Sequence, residues 1–516
     1  MTDEPVTAVE GYRHEHRWRL NIALIVLALL IIIALLVVVV LGIVLWRVTN
    51  NSTPTYASAE EHFKYGSIGS EPASGVPYWI WKTLPSLYPD EFQRRQDYSA
   101  FGFLYETDAR GRQRDLPIGI SRRKVQGVDV VWVNCATCHT GTWRERPDGP
   151  VRIVAAMPSN NLDFHRFVRM ILRAAADERL APDTLFPAMR RAGARLDIID
   201  RVIWRTVVLP RFREGLVRTR GRLQPLLDIQ PPWGLGRVDT FNPYKLIQFG
   251  VRAEDLPAAE RVGAADLPAV FNQRPRAGMN LHWDGNNASL QERNLSAAIG
   301  AGVTPKTVDH AAIKRIADWL MDLKAPPTPH RPDRAAVTRG QAVYRDACAS
   351  CHGWQGENEY VFVGERLGQV EPITNVGTDR SRLDSYTEGF RQRQLAELFA
   401  GTPYHFRHFK KTNGYANMPL DGLWLRGPYL HNGSVPTLAD LLKRPEERPK
   451  AFLRGIDIVD PVNGGFQSPP CTPGTRLPRG ECFDTTVPGN ASGGHVYGAD
   501  LAAGDKADLL AYLLTF

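Results

Sequence analysis

The chain has 516 residues, with 63 Lys and Arg against 55 Asp and Glu, a formal net charge of +8 and only 6 Cys. Hydrophobic and charged fractions of 43% and 23% exclude a disordered chain, and so few Cys exclude a disulfide-dense scaffold. A mean hydropathy of -0.27 excludes a polytopic membrane protein, and the small, scattered positive excess argues against a nucleic-acid partner.

Residues 22–46 carry no charged or strongly polar side chain. As a helix this stretch reaches roughly 37 Å, enough to cross a ~30 Å hydrocarbon core. We read 1–20 as a cytoplasmic tail and 21–46 as an uncleaved transmembrane helix. A cleaved signal peptide is the rival reading, with Ala57-Ser58-Ala59 as a cleavage site, but its apolar region normally runs only about 7–15 residues. Arg13, Arg17 and Arg19 precede the span and Arg47 follows it, a weak bias toward a cytoplasmic N-terminus.

Two pentapeptides then carry the chemistry: Cys135-Ala136-Thr137-Cys138-His139 and, 213 residues later, Cys348-Ala349-Ser350-Cys351-His352. C-x-x-C-H reads as covalent attachment of a c-type haem. Two thiols add to the two vinyl groups of one porphyrin, and the adjacent His supplies the proximal ligand to its iron. A zinc site built from two CxxC pairs would not require a His after each, and a thioredoxin-like motif normally occurs once. The cofactors expected are two covalently bound haem c groups. Attachment to CxxCH takes place outside the cytoplasm in bacteria, so the body is expected in the periplasm, anchored to the inner membrane.

Around these sites, residues 130–133 (VVWV) read as a short strand leading into the first motif. Residues 162–179 read as a helical elaboration of the first domain. Residues 310–324 form an amphipathic pattern with Ile313, Ile316, Trp319, Leu320 and Leu323 on one face. Four prolines follow within residues 326–332 and read as a linker. Residues 339–348 run at helical spacing into the second motif. The fold class expected is mainly α: two cytochrome c-like haem domains, loop-rich, spanning 55–325 and 330–516 after the membrane helix. Cys471 and Cys482, separated by ten intervening residues in a Pro/Gly-rich stretch, read as a disulfide worth ~3 kcal/mol in the chain-entropy model.

The two haem motifs together with residues 427–438 (GPYLHNGSVPTL) resemble the bacterial di-haem cytochrome c peroxidase superfamily. Residues 266–302 and 419–424 (PLDGLW) are most similar to its rubber-oxygenase-like di-haem branch. The resemblance covers most of residues 130–516. An iron's sixth position decides its role, since a strong ligand favours electron transfer and an open position favours chemistry with peroxide or oxygen. Sequence candidates for the second iron are His431, Met418, Tyr415, His405 and His408. The resemblance implies His431 in the rubber-oxygenase-like branch, whereas a Met upstream, here Met418, serves in other di-haem peroxidases. No strong sixth ligand is evident for the first haem, which leaves it as the reactive one. Trp283 matches the position where the family sets an aromatic between the haems, an electron relay; core packing is the plainer reading.

One departure matters. Those peroxidases carry a distal Glu about twenty residues after that Trp, whereas residues 301–304 here read AGVT. Gln291 and Glu292 are out of register. A positioned acid–base group typically gives ~10²–10⁴-fold, so efficient peroxidase chemistry is not expected, and an apolar distal pocket suits oxygen and an apolar substrate. The peroxidase resemblance also permits calcium. The reading is a membrane-anchored redox enzyme of the peroxidase or oxygenase type, with an electron donor or acceptor in the periplasm or membrane and peroxide or dioxygen as substrate. The alternatives are a non-catalytic electron-transfer cytochrome and a haem sensor.

Overall fold

The computed structural model describes residues 6–108, 110–477 and 480–516, with side chains from residue 16 onward. The tail assignment for residues 1–5 and the side chain of Arg13 lie outside the described residues. Contacts divide the chain into two units: one up to Ser52 together with residues 124–129, the other comprising 53–123 and 130–516.

The first unit is dominated by helix α1 (Val6–Thr49), which extends beyond the apolar run at both ends. Residues 16–49 form a helix long and apolar enough to cross a membrane, and their large apolar side chains are exposed along its length. Exposure of so many Leu, Ile and Val side chains is unfavourable in water and neutral in lipid. Past the helix, Ser52 pairs with Lys124 in a short antiparallel bridge, and Asn51 Oδ1 accepts from the Gln126 amide.

The second unit combines capped helices with short antiparallel sheets of two or three strands. The elaboration after the first motif is helix α2 (Phe164–Arg173), followed by two 3₁₀ turns rather than a helix running to residue 179. Asp163 starts α2 by accepting the Arg166 amide. Helices α3 (Leu209–Ile229) and α4 (Asn242–Phe249) follow. Strand β1 (Arg237–Asp239) pairs with β2 (Ala264–Asp266). Helices α5 (Leu290–Gly300) and α6 (His310–Leu320) close this half; α6 stops before the proline run expected to end it. Helix α7 (Arg334–Ala347), capped by Asp333, leads into the second motif, and β3 (Val370–Pro372) pairs with β4 (Gly414–Ala416). The chain ends in the four-residue α8 (Leu438–Leu441), a sheet in which Cys471 and Cys482 form a disulfide with Cα atoms 5.8 Å apart, and α9 (Ala503–Leu513).

The two halves repeat one another beyond their CxxCH motifs. In loop 281–290, Leu281 pairs with Asn287, His282 has φ 66°, Gly285 has φ 63°, and Ser289 caps α5. In loop 429–438, Tyr429 pairs with Val435, Leu430 has φ 68°, Gly433 has φ 63°, and Thr437 caps α8. Superposing the glycines makes Trp283 the counterpart of His431, not His282. Each loop pairs with the strand of the other half: the Ala416 amide donates to Trp283 O at 2.8 Å, and the Asp266 amide donates to His431 O at 2.9 Å.

Helices α7 and α9 cross with Gly340 at the contact, and Tyr344 packs on Tyr512 and Phe516 with ring centroids 5.2 Å away. A Cβ on Gly340 would lie 1.9 Å from Asp508 O, a backbone atom that cannot swing aside. We therefore expect Gly340→Val to cost ~1–3 kcal/mol through forced separation of the helices, read as a lowered midpoint in thermal unfolding. An unchanged midpoint would mean that this close approach does not hold the crossing.

Candidate functional site

At the first motif, Asn134 Oδ1 accepts from the Ala136 amide at 3.0 Å, and its Nδ2 donates to Gly66 O at 2.9 Å. This cap fixes the short helix Cys135–Cys138 against the core. Cys135, Cys138 and His139 all line a cavity of about 780 Å³. Burial pushes the Cys135 thiol up to about 11 and the Cys138 thiol up to about 12, so both are protonated at neutral pH. His139 Nδ1 lies 2.9 Å from Pro268 O. A carbonyl can only accept, so Nδ1 carries the proton and Nε2 keeps its lone pair. Burial lowers the imidazole to about 4, which keeps it neutral as a ligand must be.

The second motif repeats the device. His352 Nδ1 lies 2.7 Å from Met418 O, and burial holds this imidazole below its usual value. Burial also pushes the Cys348 thiol up to about 12. Among the described residues no three His, Cys, Asp or Glu side chains gather as a metal cluster. The donor set at each motif is therefore two thiols and one imidazole of fixed tautomer, which fits a covalently attached haem with one axial histidine.

The surroundings of the two imidazoles differ. The ring of His495 stands 6.3 Å from that of His352, centroid to centroid. Several main-chain bonds hold His495 in place. Its amide donates to Val376 O at 2.7 Å, and buried Arg448 donates to the carbonyls of Ser492, Gly494 and His495. His495 adopts φ 46°, a left-handed conformation that a non-glycine residue keeps only when its surroundings impose it. Burial lowers its imidazole to about 4. Its Nδ1 is buried without a hydrogen-bond partner. Among the described residues no ring stands comparably close to His139.

The sequence candidates for the second iron go elsewhere. His431 is buried, its ring stacked on Tyr415 at 3.9 Å, with Nε2 2.9 Å from the Tyr415 hydroxyl. That hydroxyl spends its single hydrogen on Asp379 O at 2.6 Å, so it accepts from His431 Nε2–H. The ring nitrogen expected to reach iron therefore carries a proton. Met418 accepts from His352 Nδ1–H through its carbonyl oxygen. His405 Nε2 bonds Leu395 O at 2.5 Å, and His408 Nδ1 lies 2.7 Å from Glu292. His495, preceded by Gly493 and Gly494, was not among the sequence candidates; its one signal was a lone His after two glycines.

Trp283 lines the cavity and donates Nε1–H to Asp266 O at 2.8 Å. Glu292 is buried but turned away, accepting from the Arg407 and His408 amides at 2.8 and 2.9 Å. Two acids do line the cavity, and both are committed. Asp239 accepts the Phe241 and Asn242 amides, each at 3.0 Å, and Asp266 pairs with Arg454 at 2.8 Å. Arg293 Nη2 and the Tyr244 hydroxyl are buried lining atoms without partners. The cavity is thus apolar, cationic at Arg293 and without a free carboxylate among the described residues.

Three family models match this chain: a Y4iN-like domain over residues 59–139, cytochrome c over 337–421, and RoxA-like, cytochrome c-like over 414–453. The first ends on His139, and the second contains the whole Cys348–His352 motif. Two relatives come from Sinorhizobium fredii. Uncharacterized protein y4iM is 28% identical over 246 residues, 45% of this chain and 56% of its own length, so the chain spans just over half of that relative. Uncharacterized protein y4iJ is 32% identical over 528 aligned positions, 80% of this chain and 83% of its own length. Read together with the buried thiol pairs and the fixed imidazoles, these matches assign the chain: it belongs to the family of y4iJ and is a cytochrome c-type protein that carries haem c.

Proposed function

We propose that this protein is a di-haem c-type cytochrome acting as a redox enzyme of the peroxidase or oxygenase type, anchored by α1 in a bacterial inner membrane with its body in the periplasm. The observation that carries this reading is the asymmetry between the two imidazoles. Among the described residues no second ring stands close to His139, while the ring of His495 stands 6.3 Å from that of His352. Haem c held by Cys135, Cys138 and His139 would supply redox chemistry toward peroxide or dioxygen. Haem c on Cys348, Cys351 and His352 would serve electron relay.

His495 takes the ligand role assigned above to His431 or Met418. Its ring stands 6.3 Å from that of His352, centroid to centroid, so the two imidazoles could hold one group between them. His431 then acts structurally, joining Tyr415 to the loop that receives the Asp266 amide.

The chain's own groups do the rest. Pro268 O and Met418 O fix the ring planes and tautomers of the two proximal histidines. Trp283 stands between the two supports: its Nε1–H binds Asp266 O, two residues before Pro268, and its carbonyl binds the Ala416 amide, two residues before Met418. This position supports a relay role for its ring. Arg293 offers an unpaired donor to an anion in the cavity. Among the described residues the two lining acids, Asp239 and Asp266, are already engaged, which supports oxygen chemistry over rapid peroxide cleavage, since that needs a proton moved between oxygens. It also favours the second reading, a non-catalytic electron-transfer cytochrome that passes electrons to a partner in the membrane or periplasm.

Carbon monoxide separates the two readings. We expect the reduced protein to bind CO at one of two haems. Two low-spin haems that bind neither CO nor cyanide in any redox state would leave only electron transfer. For the ligand assignment, His495→Ala should convert one haem from low-spin to high-spin in the absorption spectrum, while His431→Ala leaves it low-spin. The opposite pair of outcomes would return the role to His431.

A further inference from the structure

We propose that the helical segment at residues 182–208 docks on an anionic phospholipid surface, with Ile198 and Val202 entering the acyl boundary and Arg190, Arg195 and Arg201 taking lipid phosphates. None of these residues lines the cavity of the first motif. The proposal rests on the membrane reading of α1 only for bringing the body within reach of a bilayer.

Positive charge gathers in this part of the chain. Residues 182–222 hold ten Arg, no Lys and four acids, so the stretch carries +6 of the chain's net +8. Arg190, Arg191, Arg195, Arg201 and Arg205 are all exposed. The acids among them are already engaged. Asp197 and Asp200 form the capping box that starts the helix Ile198–Ile203. Asp183 pairs with Arg205 at 2.8 Å, both side chains being largely exposed and therefore weakly coupled.

The same helix shows apolar side chains to solvent. Ile198, 80% exposed, is the most exposed large apolar side chain among the described residues, and Val202 is 55% exposed. Four residues apart, they share one face, and Arg201 and Arg205, three residues on from each, fall beside them. Next to this face is a second cavity of about 510 Å³. It is lined by Phe186, Met189 and Leu196 and by Arg190, Arg195 and Arg201, with Asp183 as its one acid.

Exposed apolar side chains set among guanidinium groups complement an anionic lipid interface. The planar guanidinium fork matches phosphate oxygens, and Ile198 and Val202 leave water for the acyl boundary. A nucleic acid would make no use of Ile198 and Val202. An apolar protein face would bury the guanidinium groups without an anion to meet them.

The test is a spin-label depth measurement on the full-length holoprotein in nanodiscs of phosphatidylcholine, alone or mixed with phosphatidylglycerol. A nitroxide on Ile198→Cys should lose access to a water-soluble nickel chelate and gain access to oxygen only where phosphatidylglycerol is present. Added salt should reverse the change. In the same labelled protein, Arg190→Gln, Arg195→Gln and Arg201→Gln together should lower the ratio of docked to free label by at least about tenfold, with haem spectra and thermal midpoint intact. A label equally exposed in both lipids, bilayer entry indifferent to the three arginines, or spin–spin broadening from a second copy on this face would each overturn the proposal. Failure of the chain to enter phosphatidylcholine nanodiscs would instead sink the reading of α1 as an anchor. Sedimentation with phosphatidylglycerol vesicles then decides the docking face by itself: no binding, or binding unaffected by the arginine changes, overturns it.

Discussion

Two backbone carbonyls, those of Pro268 and Met418, decide how the second unit is arranged. Each accepts the Nδ1 proton of one CxxCH histidine and so fixes which nitrogen faces the haem position. A neutral hydrogen bond of this kind contributes only ~0.5–1.5 kcal/mol to stability, but its effect on ring orientation and tautomer governs the chemistry. Neither carbonyl is held by its own half alone. Two residues before each, the chain forms a main-chain bond with a loop of the other half, Asp266 to His431 and Ala416 to Trp283. Distorting one half therefore disturbs the support of the other half's histidine. The two motifs behave as one device, and the main-chain contacts leave no seam between the halves at the proline-rich stretch.

On that shared frame the halves diverge in what they set against their histidines. The second half spends its last loop on His495, held in a left-handed conformation by the carbonyl contacts of Arg448 and the bond to Val376. The first half instead surrounds a cavity with α3, α4 and α5. Its lining acids are consumed by a helix cap and an ion pair. The two halves thus share their proximal chemistry and differ in what lies opposite it.

Much of this was legible in the residues. The CxxCH spacing carries its own chemistry, and an uncharged run of 25 residues is long and apolar enough to cross a membrane as a helix. Helix positions followed from apolar periodicity and Asp caps, although the ends shifted: residues 162–179 became α2 plus 3₁₀ turns. The site's opposite faces were not legible. His431 sits in a sequence block that resembles a ligand loop, yet the Tyr415 hydroxyl occupies its Nε2. His282 and His431 look like matched histidines, but the glycine positions and the two left-handed residues pair Trp283 with His431. That equivalence lives in backbone conformation, which the side-chain letters do not display.

By itself, the sequence determined the two CxxCH spacings, the apolar helix at residues 22–46 and the division of six cysteines into two CxxCH pairs and one remaining pair, because each is a matter of local spacing or composition. Only the tertiary structure decided which carbonyl supports each histidine, that the ring of His495 stands near that of His352, that His431 is engaged by Tyr415, and that α3 packs along the cavity beside the first motif. These are contacts between residues 66 to 143 positions apart or set by the packing of separate helices, except for the His431–Tyr415 pair, whose geometry depends on a third residue, Asp379. No local pattern encodes such contacts, since they exist only once the two halves have folded onto each other.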